Sequence, residues 1–117
     1  MAIKRSEAEG MKWGNVVTGR RLAAVHPGVI LLKDFIEPLA LTRYRVAKAI
    51  GVPQRRIDEI CAGKRAMTAD TALRLGRYFG VDAQLWMNLQ AQYDLDIAKR
   101  DLQTSIERDV TPLQRAA

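Results

Sequence analysis

The sequence predicts an all-α fold of five helices, the last of them extended. Three observations carry this. Apolar residues recur at helical spacing from Pro27 onward, Gly and Pro stand at the ends of those segments, and Val, Ile and Phe never alternate with polar residues over a strand-length run. At 117 residues, 48% of them hydrophobic, the chain can build one small core but not two. The periodic part defines a folded domain over 26–103, with a helix-turn-helix at about 42–62. It is preceded by an arm (1–25) and followed by a polar tail (104–117).

Each element has its own start and stop signals. Residues 1–25 mix Gly10, Gly14 and Gly19 with charges and show no sustained period, so they read as a flexible arm, with Met11 as an alternative start. Pro27 suits the first turn of a helix, where its missing N–H costs nothing. Ile30, Leu31, Asp34 and Phe35 continue at helical spacing until Pro38 ends the segment. Thr42 is the expected N-cap of the second helix, and Val46, Ala47 and Ile50 form its apolar stripe as far as Gly51. The third opens at Pro53 and runs through Ile57, Ile60 and Cys61 to Gly63, the expected left-handed C′ residue. Thr68 is expected to cap the fourth, which ends at Gly80. Asp82 caps the fifth, where Leu85, Leu89, Tyr93 and Ile97 repeat every four residues beside Trp86. That stripe serves either the core or a dimer interface. The segment 104–117 is polar, contains Pro112 and is expected to fray.

Several function classes are excluded by inventory. No apolar run approaches the ~20 residues that span a bilayer. The N-terminus has charges without the apolar stretch of a signal peptide, and Cys61 is the only cysteine, so the cytoplasm is the expected compartment. One histidine (His26), one cysteine and two serines (Ser6, Ser105) offer neither a metal ligand set nor a credible triad. There is no phosphate-cradling glycine loop, and the adjacent acids Asp58 and Glu59 diverge by about 100° on a helix. No enzyme activity, metal or cofactor is expected.

The charge is uneven. The net charge is +6, yet residues 1–80 carry fifteen Lys/Arg against seven Asp/Glu, and residues 81–117 carry four against six. Within 42–65, seven basic residues face only Asp58 and Glu59. A basic patch concentrated on a small domain points to a polyanion, most often nucleic acid.

That patch coincides with two short helices joined across Gly51-Val52. A small residue at the crossing (Ala47), a turn glycine and buried branched aliphatics (Val52, Ile57, Ile60) are what a helix-turn-helix needs. With Ile57 and Ile60 inward, periodicity places Gln54, Arg55, Asp58 and Glu59 outward or lateral. In this motif the second helix enters the major groove with its N-terminal residues at base edges. Gln54 suits adenine, Arg55 suits guanine, and Glu59 suits either a cytosine amino group or the orientation of a neighbouring arginine. Arg43, Arg56, Lys64 and Arg65 suit phosphate contacts. The arm, with Lys4, Arg5, Lys12, Arg20 and Arg21 against Glu7 and Glu9, could add another.

The resemblance to a family is carried by His26-Pro27-Gly28, Ile30-Leu31, Phe35 and Glu37-Pro38-Leu39. It continues through Tyr44-Arg45, Ala47-Lys48, Gly51-Val52, Ile57, Glu59-Ile60 and Gly63-Lys64-Arg65. It extends over Thr68 to Leu75, Tyr78-Phe79-Gly80, Trp86 to Gln90 and Tyr93-Asp94-Leu95. This set resembles HigA-type antitoxins of the XRE (lambda-repressor-like) family over about residues 26–99. Two positions depart: Pro53 stands where a capping Ser or Thr is usual, and Val29 where Glu is usual. The resemblance implies a lambda-repressor-like five-helix domain that dimerises and binds a palindromic operator in its own promoter. For many members it also implies neutralisation of a HigB-type mRNA-cleaving toxin encoded alongside. A solitary regulator, or a toxin-masking protein with weak DNA binding, is the alternative.

Other singled-out residues have plainer readings. His26 is expected to be structural or capping rather than a pH sensor. Cys61, on the inner side of the third helix, is expected to be an inert thiol. Asp70, in a helix's first turn, is accounted for by the helix dipole. Gln84, Asn88 and Gln92 form a solvated face.

Overall fold

The computed structural model describes residues 24–114. The readings placed on the arm's first 23 residues lie outside the described residues. Five helices follow one another, with no strand among the described residues. Helix α1 opens as the α-helical turn Pro27–Ile30 and continues as the π-helical turn Leu31–Ile36. Helix α2 is Arg43–Ile50, α3 is Gln54–Cys61, α4 is Ala69–Phe79 and α5 is Ala83–Asp109.

The π-helical turn is the first departure from the periodicity. Glu37 N–H donates to the Leu32 carbonyl at 2.9 Å, and Leu41 N–H to the Ile36 carbonyl at 3.0 Å. The reason lies in Leu31 and Ile36, both essentially fully buried. Five residues apart, they would stand about 140° apart on an α-helix, whereas the wider i→i+5 turn brings them onto one face.

Three glycines end helices as the sequence demands. Gly51, Gly63 and Gly80 have φ of 76°, 76° and 73°. At each, the next residue's N–H reaches back five positions, Val52 to Ala47 at 3.0 Å, Lys64 to Glu59 at 2.8 Å and Val81 to Gly76 at 3.0 Å. At α1 the same role falls to Ala40, with φ of 56°.

Gly28 is required for a different reason. It lies where α1 crosses α3, and a Cβ there would overlap the Ile60 carbonyl oxygen and stand 2.6 Å from its carbon. The missing side chain lets α3 seat directly on α1. Ile57 and Ile60 then reach the core shared with Leu31, Val46, Leu75 and Trp86. Trp86 packs against Phe35, ring centroids 5.0 Å apart, and its buried Nε1–H finds no partner among the described residues.

The caps divide. Thr42 accepts from Arg45 N–H at 3.0 Å and Asp82 from Gln84 N–H at 2.9 Å. Thr68 occupies the expected N-cap position of α4 but makes no side-chain cap bond. Its hydroxyl donates instead to that of buried Thr71, at 3.4 Å.

Helix α5 outruns its polar composition. It continues through 104–109, where fraying was expected, and ends two residues before the residue that precedes Pro112 in sequence comes into play. Gln103 Nε2 donates to Glu107 at 2.8 Å, and no breaker precedes Val110. Within the apolar stripe, Trp86 is core and Leu89 packs against it. Tyr93 meets the His26 ring edge-on at 4.9 Å, while Leu85 and Ile97 are half-buried. Leu95, Leu102 and Ile106, outside that stripe, are 51%, 48% and 47% exposed. No helix among the described residues is long and apolar enough to cross a membrane.

Candidate nucleic-acid interface

The recognition surface is built on α3, whose orientation is fixed by its buried face. Ile57 and Ile60 point inward, so Gln54 and Arg55 stand exposed in the first turn. The helix starts without a side-chain cap, because Pro53 at the N-cap position has none to give. Its carbonyl still closes the first turn, accepting from Arg56 N–H at 3.0 Å. Gln54 and Arg55 therefore stand at the positive end of the helix dipole.

The charged side chains around this turn are cross-braced. Arg55 Nε donates to Glu59 Oε2 at 3.1 Å, while the Arg55 side chain remains 84% exposed. Arg65, in the turn after α3, places Nε at 2.9 Å and Nη2 at 2.7 Å from Glu59 Oε1. The Arg65 and Arg55 guanidiniums hold the Glu59 carboxyl below the usual carboxylate range. Arg43, from the first turn of α2, donates through Nε to Asp58 Oδ1 at 2.9 Å, tying the two helices of the motif together.

A second junction lies on the α4 side. Asp70 accepts from Arg56 Nη1 at 2.8 Å and from Arg74 Nε at 3.1 Å, and these guanidiniums, Arg74 foremost, lower its carboxyl. Arg74 Nη1 continues to the Ile50 carbonyl at 2.9 Å. Asp70 thus joins α3 to α4 and, through Arg74, to the end of α2, a role beyond the helix dipole.

Residue by residue, the structure sorts the expected site. Gln54 and Lys64 are exposed and make no side-chain hydrogen bond or ion pair among the described residues. Arg55 is exposed with both Nη groups open. Glu59 is engaged by arginines on both oxygens, Arg55 on Oε2 and Arg65 on Oε1. Arg43 and Arg65 lie at the edge of the surface, each with one carboxylate partner. Arg56 is half-buried, and its Nη1 donates to Asp70, which braces α3 against α4. The cations Arg45 and Lys48 of α2 are exposed as well, with Lys48 Nζ 5.9 Å from the Tyr44 ring centroid. Their outward direction follows from Val46, Ala47 and Ile50 facing inward.

His26 and Cys61 flank this surface from beneath. His26 caps α1, its Nδ1 accepting from Gly28 N–H at 2.9 Å. Burial lowers its pKa below the ordinary 6.5, against the smaller raising effects of an Arg65 main-chain hydrogen bond and the Asp94 charge. The Cys61 thiol is pushed up to about 11 by burial, which leaves it protonated and inert. Gln90, hidden in the polar run of α5, is buried. Its Oε1 accepts from Met67 N–H at 2.7 Å and its Nε2 donates to Asp94 at 2.8 Å, fastening the α3–α4 connection to α5. No periodicity signals that role.

Two short helices crossing at a glycine turn, with an exposed polar first turn rimmed by cations, define a helix-turn-helix protein. Comparison with known proteins agrees. A helix-turn-helix family model matches residues 32–86. Virulence-associated protein I of Dichelobacter nodosus is 49% identical over 83 residues, 71% of this chain and 77% of that protein. Antitoxin HigA-1 of Vibrio cholerae is 32% identical over 78 residues, 67% of this chain and 71% of that protein. Among solved structures, Pseudomonas aeruginosa antitoxin HigA with the higBA promoter superposes with a TM-score of 0.77 at 37% identity, covering 79% of this chain and all of that one. An addiction module antidote protein of the HigA family from Coxiella burnetii gives 0.74 at 38% identity, over 77% and 98%. The chain belongs to the helix-turn-helix family, in its HigA-type antitoxin branch.

Proposed function

We propose that the chain is a sequence-specific DNA-binding repressor, the antitoxin of a HigBA-type module that regulates its own operon and neutralises an mRNA-cleaving toxin. The observation that carries the DNA-binding part is the first turn of α3. It presents Gln54 and Arg55 outward on a helix held rigidly from behind, with Lys64, Arg65 and Arg43 around it. Arg55 and Gln54 read base edges, and the surrounding cations meet phosphates. The Pseudomonas aeruginosa relative solved with the higBA promoter supports DNA binding.

The protein acts by binding in the cytoplasm, not by catalysis, and it acts as a homodimer. Two α3 helices about one DNA turn apart (~34 Å) match a palindrome. Exposed Leu95, Leu102 and Ile106 on the part of α5 beyond the core supply apolar surface that a second copy can cover. The toxin partner rests on the family. A small basic reading frame beside the gene, whose product co-purifies with this chain, is the expected finding.

A gel shift with DNA from the gene's own upstream region tests the repressor reading. Retardation at low salt that survives excess random DNA supports it. A clean negative at low salt contradicts it.

A further inference from the structure

We propose that Glu59 is a positioning residue that sets DNA specificity, by fixing the Arg55 guanidinium for guanine and by repelling DNA that offers Arg55 no base partner. This rests on the DNA-reading function proposed above and deepens it. The hydrogen-bond donors around Glu59 are unevenly distributed. Glu59 takes three of them, Arg55 Nε at 3.1 Å and Arg65 Nε and Nη2 at 2.9 and 2.7 Å. Arg55 gives up only Nε. Its Nη1 and Nη2 remain together at the exposed end of the side chain, and guanine O6 and N7 require such a pair of donors.

Without Glu59, an 84% exposed arginine would sample many rotamers, and ordering it on DNA would cost side-chain entropy. With Nε held, that ordering is largely done before DNA arrives. Arg65 is the anchor at the other end. It binds Glu59 edge-on through two donors and leaves Nη1 for a phosphate. Lys64, one residue earlier, makes no such bond among the described residues.

The second half of the proposal follows from charge. A carboxylate in the middle of a phosphate-facing surface is unfavourable on any duplex. On the right sequence the Arg55–guanine contact offsets that repulsion, and on the wrong sequence nothing does. Specificity gained by penalising wrong partners has this form. Glu59 as a direct reader of a cytosine amino group fits less well, since both its oxygens already accept from arginines.

The experiment uses the full-length protein and two duplexes: the best sequence that wild type selects from a random pool, and a scrambled version of it. Affinities are measured for wild type, Glu59→Gln, Arg55→Ala and the double variant, with thermal melts of each. The ratio of the two affinities should fall about tenfold for Glu59→Gln, with tighter binding to the scrambled duplex. The double variant should fall no further than Arg55→Ala alone, because Glu59 works through Arg55. Two results overturn the proposal. An unchanged ratio, with or without an equal loss on both duplexes, removes Glu59 from specificity. Losses that multiply in the double variant make it an independent base reader. If wild type selects no sequence at all, the DNA-reading function itself falls, and that is visible in the wild-type measurement alone.

Discussion

On α3 all the charged side chains but Arg55 are braced by partners outside the helix, whereas on the far half of α5 they pair only with residues of the same helix. Arg43 reaches Asp58 across fifteen residues and Arg56 reaches Asp70 across fourteen. At the other end of the molecule, Arg100 pairs with Asp101 and Arg108 with Asp109, each adjacent in sequence. The apolar residues contrast in the same way. Ile57 and Ile60 are fully buried beneath the recognition surface, while Leu102 and Ile106 stand about half exposed. The first region is complete within one chain. The second is helical but carries an apolar surface that its own domain does not cover.

The strongest way to break the complete region avoids its charges altogether. Gly28→Ala places a methyl group against the Ile60 carbonyl, and overpacking at such a crossing should cost about 3 kcal/mol. Denaturant unfolding measures this. Ala49→Ser, at an exposed position of α2, should change stability by less than about 0.5 kcal/mol.

Next in size is the loss of base reading. Arg55→Ala should cost roughly 1–3 kcal/mol of discrimination between selected and scrambled duplexes, read from their two dissociation constants. Equal weakening on both would count against base reading. Lys64→Ala should act differently, weakening both duplexes alike and lowering the slope of log affinity against log salt by about one.

His26 lies between α1 and the near half of α5, capping α1 at Gly28 and meeting the Tyr93 ring edge-on. Its neutral form accepts the Gly28 N–H, and its folded-state pKa lies below 6.5. The unfolded chain therefore binds the proton more readily. His26 contributes its full stabilisation above pH 6.5, and that contribution is lost as pH falls toward the folded-state value. Thermal melts from pH 7.5 to 5 should show a steeper decline for wild type than for His26→Asn, which keeps a cap acceptor but does not titrate there.

The smallest effect on the fold should come from the incomplete region. Leu102→Ser with Ile106→Ser should leave the domain's stability within about 0.5 kcal/mol. Sedimentation should nevertheless show a loss of dimer. An unchanged dimer would move the interface elsewhere.

The parts of this comparison differ in how legible they are in sequence. Helix order, the turn glycines and the inward face of α3 are legible because each depends on local chemistry: positive φ at Gly51 and Gly63, and 3.6-residue spacing at Ile57 and Ile60. The exposure of Gln54 and Arg55 follows from that spacing. The ion-pair partners are not legible, because Arg56 meets Asp70 only after α3 and α4 have packed. The π-helical turn escapes for the same reason, being imposed by the burial of both Leu31 and Ile36. In α5, polar composition conceals two features, the six further helical residues and the buried amide of Gln90.

The central claim is that a dimer of this chain reads DNA through the first turn of α3. Selection of duplexes from a random pool by the wild-type protein tests it most directly. The account predicts enrichment of a two-fold-symmetric sequence whose half-sites lie about 10 base pairs apart, with guanine preferred where Arg55 reaches. A pool that shows no enrichment after repeated rounds at low salt would contradict it.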